Sequence, residues 1–83
     1  IESAQSEVTA NAAQETANTI SETLTFTANI KNILVFRNGT KLRANVDYTV
    51  TGTTLNIAPP ATPGTNQDWS VYQDDVFEYH YSK

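Results

Sequence analysis

The 83-residue sequence contains no cysteine and no methionine, and it has only one tryptophan and one histidine. Without cysteine the chain can form neither disulfide bonds nor a zinc site built on thiolates. No apolar run approaches the roughly 18 residues of a transmembrane helix, so we expect no membrane insertion. A domain of this size buries only about 60% of the surface of its unfolded chain, which makes association with further copies the expected source of additional stability.

Positive charge is also scarce, and it is unevenly placed. The net charge is −4, residues 1–23 carry glutamates and no base, and four of the five basic residues lie between positions 31 and 43. These four are too few for the dense basic stripe that nucleic acids require. We therefore expect no nucleic acid partner.

Residues 1–23 lack glycine, proline and aromatic residues and are rich in alanine. Their apolar residues form two stripes at helical spacing: Ile1, Ala4, Val8 and Ala12, and then Ala13, Ala17, Ile20 and Leu24. Small residues let helices approach closely, so this pattern predicts a helical stem that packs against the stems of other copies. A polar linker is the alternative.

From Leu24 the spacing of apolar residues changes to two, since Leu24, Phe26, Ala28 and Ile30 alternate with polar residues, which predicts a half-buried strand. The Asn38-Gly39 pair predicts a hairpin with a type I′ turn. In that register Phe36 faces Lys41, and Leu34 and Phe36 share a semi-apolar face. We expect a neighbouring subunit to cover that face.

A second hairpin is predicted with Gly52-Thr53 at its turn. Tyr48 then opposes Ile57 and Val50 opposes Leu55, which separates apolar from polar side chains, and a glycine in first position suits a type II′ turn. The segment after Ala58 is rich in proline and predicts a loop. The predicted fold is α+β, with a helical stem over residues 1–23 and a small antiparallel β-sandwich or open barrel over residues 24–83.

Candidate catalytic and metal-binding groups are few. His80, the only histidine, shares a strand face with Glu78, but no nucleophile motif or second histidine accompanies it, so we expect no enzyme. Asp68, Asp74, Asp75 and Glu78 lack the spacing of a calcium loop, and we expect no metal or cofactor. Asn38-Gly39-Thr40 matches a glycosylation sequon, but the turn alone explains it.

Aromatic residues are concentrated near the C-terminus at Trp69, Tyr72, Tyr79 and Tyr81. Packing is the favoured role for them, because a small sheet needs large side chains to cover it. Contact between a receptor and Trp69 or Tyr72 is the alternative.

One ordered pattern spans about 35 residues: Val35-Phe36-x-Asn38-Gly39-x-x-Leu42, then Val46-Asp47-Tyr48-x-Val50-x-Gly52-x-x-Leu55-x-Ile57, then Asp68-x-x-Val71. It resembles a small β domain of bacteriophage tail fibres and other virion appendages, which often follows a helical stem. The resemblance implies that Asn38-Gly39 form the first turn, that Leu42 and Tyr48 lie in the core, and that Asp47 is a loop acid. The loop over 59–67 and the extension over 74–83 depart from that pattern.

The resemblance implies an elongated, usually trimeric virion protein that builds the tail or attaches to a host. We therefore expect a structural module in the virion tail that forms a homotrimer and contacts other tail proteins and a host receptor. The alternative is a monomeric β-sandwich, extracellular or on a cell surface, that binds a glycan or protein receptor through Trp69 and Tyr72. The expected subunit interface consists of Ile1, Ala4, Val8, Ala12, Ala13, Ala17, Ile20, Leu24, Leu34 and Phe36.

Overall fold

The computed structural model describes residues 3–25, 30–60 and 69–82. About half of the described residues lie in strands, and the strands form two antiparallel sheets. The elements are β1 (Ser3–Thr9), α1 (Ala12–Ala17), β2 (Ile20–Thr23), β3 (Asn32–Arg37), β4 (Thr40–Lys41), β5 (Tyr48–Thr51), β6 (Thr54–Ile57) and β7 (Val76–Ser82).

The first sheet has four strands in the order β1-β7-β3-β4, and the second has three in the order β2-β6-β5. The C-terminal strand β7 is therefore central in the first sheet and pairs with β1 along all seven of its residues. Strand β2 pairs with β6 in the second sheet. The first 23 residues thus contribute one edge strand to each sheet.

The predicted helical stem is wrong. Residues 3–9 form a strand, and the one helix among the described residues, α1, is only six residues long. Ala4 and Val8 alternate with exposed polar residues and pack against the core. Alternation of small side chains with polar ones is only a weak signal for a strand. Pairing with β7 overrides the helix propensity of the segment. The fold is accordingly two antiparallel sheets rather than a helix followed by a β domain.

The two predicted helical stripes do not exist either. Ile20 and Leu24 are buried in the core of the chain itself, at 0% and 3% exposure, because strand β2 lies against the second sheet. Ala12, Ala13 and Ala17 are exposed on α1, and Ile1 lies outside the described residues. The stem interface built on these residues is therefore not present in this fold.

Helix α1 is a short connection that is capped at both ends. The Asn11 side chain accepts a hydrogen bond from the amide of Gln14, and the Gln14 side chain accepts one from the amide of Asn11. Asn18 ends the helix with a left-handed φ of 56°, and its side-chain oxygen accepts a hydrogen bond from the amide of Val71. Both caps hold the chain where it passes from the first sheet to the second.

One hydrophobic core joins the two sheets. The first sheet contributes the inward side chains of β3 and β7, and the second contributes those of β2, β5 and β6. The buried apolar residues are Ala10, Ile20, Leu24, Val35, Leu42, Tyr48, Leu55, Ile57, Val71, Phe77, Tyr79 and Tyr81.

Tyrosine hydroxyl groups connect the sheets through this core. The Tyr48 hydroxyl donates to the Ile33 carbonyl at 3.2 Å, and the Tyr79 hydroxyl donates to Glu22 Oε1 at 3.1 Å. Burial raises the pKa of Tyr79, and the nearby charge of Glu22 raises it further, so the phenol stays protonated and can donate. These bonds fix how the sheets face each other, which apolar contacts alone would not.

Both predicted hairpins are confirmed in their registers. Phe36 pairs with Lys41, and Asn38 and Gly39 have φ values of +49° and +87°, as a type I′ turn requires. In the second hairpin Tyr48 pairs with Ile57 and Val50 with Leu55.

The predicted strand from Leu24 to Ile30 falls largely on residues 26–29, which lie outside the described residues, as does most of the predicted proline-rich loop. No helix in the described part of the chain has the length and apolar character to cross a membrane.

We predict that Tyr79→Phe lowers the free energy of unfolding by about 1 kcal/mol, because it removes a hydrogen bond between the sheets while keeping the ring. Urea unfolding followed by far-UV circular dichroism measures the change. Tyr72→Phe is the matched control, since Tyr72 is 56% exposed. Equal stabilities of the two variants would contradict this role for the Tyr79 hydroxyl.

Candidate functional site

Asp47 is a charged residue buried between the two hairpins, with 2% of its surface exposed. It lies in the connection between β4 and β5. Its carboxylate accepts hydrogen bonds from the Arg43 amide at 2.8 Å, from the Arg43 guanidinium at 3.1 and 3.2 Å, and from Trp69 Nε1 at 2.9 Å. The backbone carbonyl of Asp47 also accepts the amide of Ala58. This single residue therefore connects both hairpins to the segment that precedes β7.

Burial by itself would raise the pKa of Asp47. The hydrogen bonds from the Arg43 side chain, from Trp69 and from the Arg43 amide, together with the positive charge of Arg43, outweigh that effect and hold the pKa below its usual value of 3.8. The carboxylate is consequently ionised at neutral pH and in a state that accepts all of these bonds.

Trp69 is half-buried between two other side chains. Arg37 lies over its ring, 5.3 Å from the centroid, and the ring of Phe77 lies 5.9 Å away on the side of the core. Arg37 in turn forms a 3.0 Å ion pair with Asp75. The packing role that we favoured for Trp69 agrees with this placement, because both neighbours and the bond to Asp47 hold the ring in position.

A cleft of about 310 Å³, which we call the Trp69 cleft, opens beside this network. It lies between the first hairpin and the Asp47 loop. The structure places three of the four clustered bases here, which the sequence alone did not group with Trp69. Tyr72, the other predicted receptor contact, is exposed and does not line this cleft. The lining residues are Arg37, Thr40, Lys41, Leu42, Arg43, Asp47 and Trp69.

The outward side of the first sheet forms a second exposed feature. Leu34 is 44% exposed and pairs with His80, which in turn pairs with Gln5 of the edge strand. Phe36 is half-buried, and the edge of its ring meets the His80 ring at 5.8 Å between centroids. We call the surface formed by Gln5, Leu34, Phe36, Glu78 and His80 the Leu34 face.

His80 and Glu78, which share a strand face, are in contact on the Leu34 face, with Nε2 and Oε1 3.0 Å apart. Both side chains are more than a third exposed. The pair is open to solvent, whereas catalytic acids and bases usually lie in pockets that exclude water.

The candidate metal and sugar attachment residues have other partners. Asp75 binds Arg37 and the side-chain amide of Asn38, and Asp68 lies outside the described residues. Burial alone would raise the pKa of Asp75, but bonds from Asn38, Tyr72 and Arg37 hold it below its usual value. No group of three metal-ligating side chains occurs among the described residues. Both polar atoms of the Asn38 side-chain amide are hydrogen-bonded. Its nitrogen donates to Asp75, and its oxygen accepts a hydrogen bond from the backbone amide of Val76.

The sequence contained a partial signal for the buried network. Arg43 and Asp47 are four residues apart across a turn, which is a spacing that brings opposite charges together. The partner Trp69 lies 22 residues beyond Asp47, and no local pattern indicates that contact. The comparisons with models of protein families, with curated proteins and with solved structures find no match to this chain.

We predict that Asp47→Asn lowers the free energy of unfolding by about 2 kcal/mol at pH 7, because it removes the buried charge to which the exposed Arg43 guanidinium and the half-buried Trp69 indole donate. Urea unfolding at several pH values measures this. The folded-state pKa is lowered, so the stabilisation is complete above pH 3.8 and is lost as the pH falls through the folded-state value. The difference in free energy of unfolding between the wild type and Asp47→Asn should therefore become smaller at low pH.

Asp74→Asn is the control for this prediction, since Asp74 is exposed and its positive φ of 76° suits asparagine equally well. An Asp47→Asn variant no less stable than Asp74→Asn at pH 7 would show that the network contributes nothing.

Proposed function

We propose that the domain is a non-catalytic assembly module of a virion appendage such as a phage tail fibre, where it forms a homotrimer and contacts other tail proteins. The resemblance of residues 35–71 to such domains supports the virion setting. The observation that supports assembly is Leu34, a large apolar residue that stays 44% exposed in the middle of a sheet face.

The neighbours of Leu34 make this face suited to a protein partner. His80 on β7 is its direct partner, Gln5 on β1 lies beyond His80, and the half-buried Phe36 is nearby. Glu78, the acid on this face, is paired with His80, and an exposed large apolar side chain beside paired polar groups is suited to a subunit interface. Covering it with a second copy would remove apolar surface from water at about 25 cal/mol per Å².

Because the helical stem is absent, association in this proposal rests on the Leu34 face instead of helices. The alternative, a monomeric receptor-binding sandwich at Trp69 and Tyr72, has less support. The two residues do not form one surface, since Trp69 lines the cleft with Arg37 over its ring, whereas Tyr72 lies apart from the Trp69 cleft. The assembly proposal therefore has the stronger structural basis.

Sedimentation equilibrium of the wild-type chain should show trimers at micromolar concentration. Leu34→Lys should raise the dissociation constant at least about tenfold, because a charge in an apolar contact must be desolvated without a partner. Circular dichroism should show that this variant remains folded, since position 34 faces outward.

Val46→Lys is the matched control, because Val46 is 47% exposed and lies in the loop between the hairpins, away from the Leu34 face. It should leave the association unchanged. A stable, folded wild-type monomer at micromolar concentration, or equal effects of the two lysine variants, would refute the proposal.

A further inference from the structure

The Trp69 cleft collects positive charge in a chain that is acidic overall. The chain has five bases and nine acids, yet Arg37, Lys41 and Arg43 all line this one cleft. A local excess of positive charge, beside the one lining acid Asp47, raises the concentration of anionic ligands at that place. The assembly function makes no use of this feature.

The two arginines in the cleft already hold carboxylates. Arg37 pairs with Asp75 at 3.0 Å, and Arg43 pairs with Asp47 at 3.1 Å. Lys41 differs from both, because it is exposed and has no ion-pair partner among residues 3–25, 30–60 and 69–82. The charge left for a ligand is therefore the single ammonium group of Lys41, which matches a monovalent anion better than a dianion.

The other residues that line the cleft indicate which kind of molecule would carry the anionic group. Thr40 offers a hydroxyl that can donate and accept, and the indole of Trp69 offers an apolar wall that the Asp47 bond holds fixed. A volume of about 310 Å³ is at the small end of ligand sites and has room for one ring. A sugar ring with one carboxylate has the required hydroxyl groups, apolar C–H surface and single charge.

We propose that the Trp69 cleft binds a terminal uronic acid or similar acidic sugar, with its carboxylate on Lys41 and its ring between Thr40 and Trp69. This site goes beyond the assembly function. Lys41 pairs with Phe36 of the Leu34 face, so the oligomeric state of each variant is measured beside its ligand binding. Trp69 then contributes to recognition as a fixed apolar wall, in addition to its packing contacts with Arg37 and Phe77.

The test is a titration of the isotopically labelled chain with glucuronic acid, read at the indole Nε1–H signal of its single tryptophan. Glucose, which has a hydroxymethyl group in place of the carboxylate, is the matched ligand. We expect saturable chemical-shift changes with glucuronate. The dissociation constant should be on the order of 1 mM, because a ligand of this size makes few contacts. Binding of glucose should be at least about tenfold weaker, since it lacks the charge-assisted bond.

Lys41→Gln should weaken glucuronate binding about tenfold, to the level of glucose. Lys31→Gln is the control, because it removes the same charge from an exposed residue that does not line the cleft. Thermal unfolding should show that both variants are folded, and sedimentation should show that both have the oligomeric state of the wild type. A loss of assembly is thereby distinguished from a loss of ligand binding.

Four results would overturn the proposal. They are the absence of a saturable shift with glucuronate, equal binding of glucose, equal losses in the two lysine variants, and competition by inorganic phosphate at the same concentration as glucuronate. The last result would indicate a general anion site with no preference for a sugar.

Discussion

The described fold depends on one buried carboxylate. Asp47 follows the first hairpin and precedes the second, and its side chain accepts bonds from Arg43 and Trp69 while its carbonyl accepts the amide of Ala58. A buried charge without these donors would be strongly unfavourable, so the network forms completely or the loop does not take this shape. The connection between the hairpins and the entry to β7 are positioned together as a result.

The candidate sites follow from that constraint and from the order of strands. Asp47 fixes Trp69 against Arg37, which leaves Lys41 as the cation that can receive a ligand in the cleft. Strand β7 is central in its sheet, so one side of it builds the core and the other presents the Leu34 face. Two surfaces with different chemistry thus lie on one small domain: the Leu34 face, which we propose for assembly, and the Trp69 cleft, which we propose for an anionic ligand.

The sequence predicted those features whose signals are local. Asn38-Gly39 and Gly52 specify turns with positive φ, and alternation on both sides of each turn sets the register. Strand β1 was missed because alanine and serine give a weak alternation, and its partner β7 lies about seventy residues away in the chain. The link between Asp47 and Trp69 was missed for the same reason, since a contact between distant segments depends on the tertiary fold.

The most direct test of this account is the hydrogen exchange rate of the Trp69 indole proton in the wild-type chain at neutral pH. The account predicts exchange at least about a hundredfold slower than in a free indole, since the proton is donated to a buried carboxylate at 2.9 Å. Exchange at the rate of a free indole would contradict it, because Asp47 would then not hold Trp69 and the cleft would lose its fixed wall.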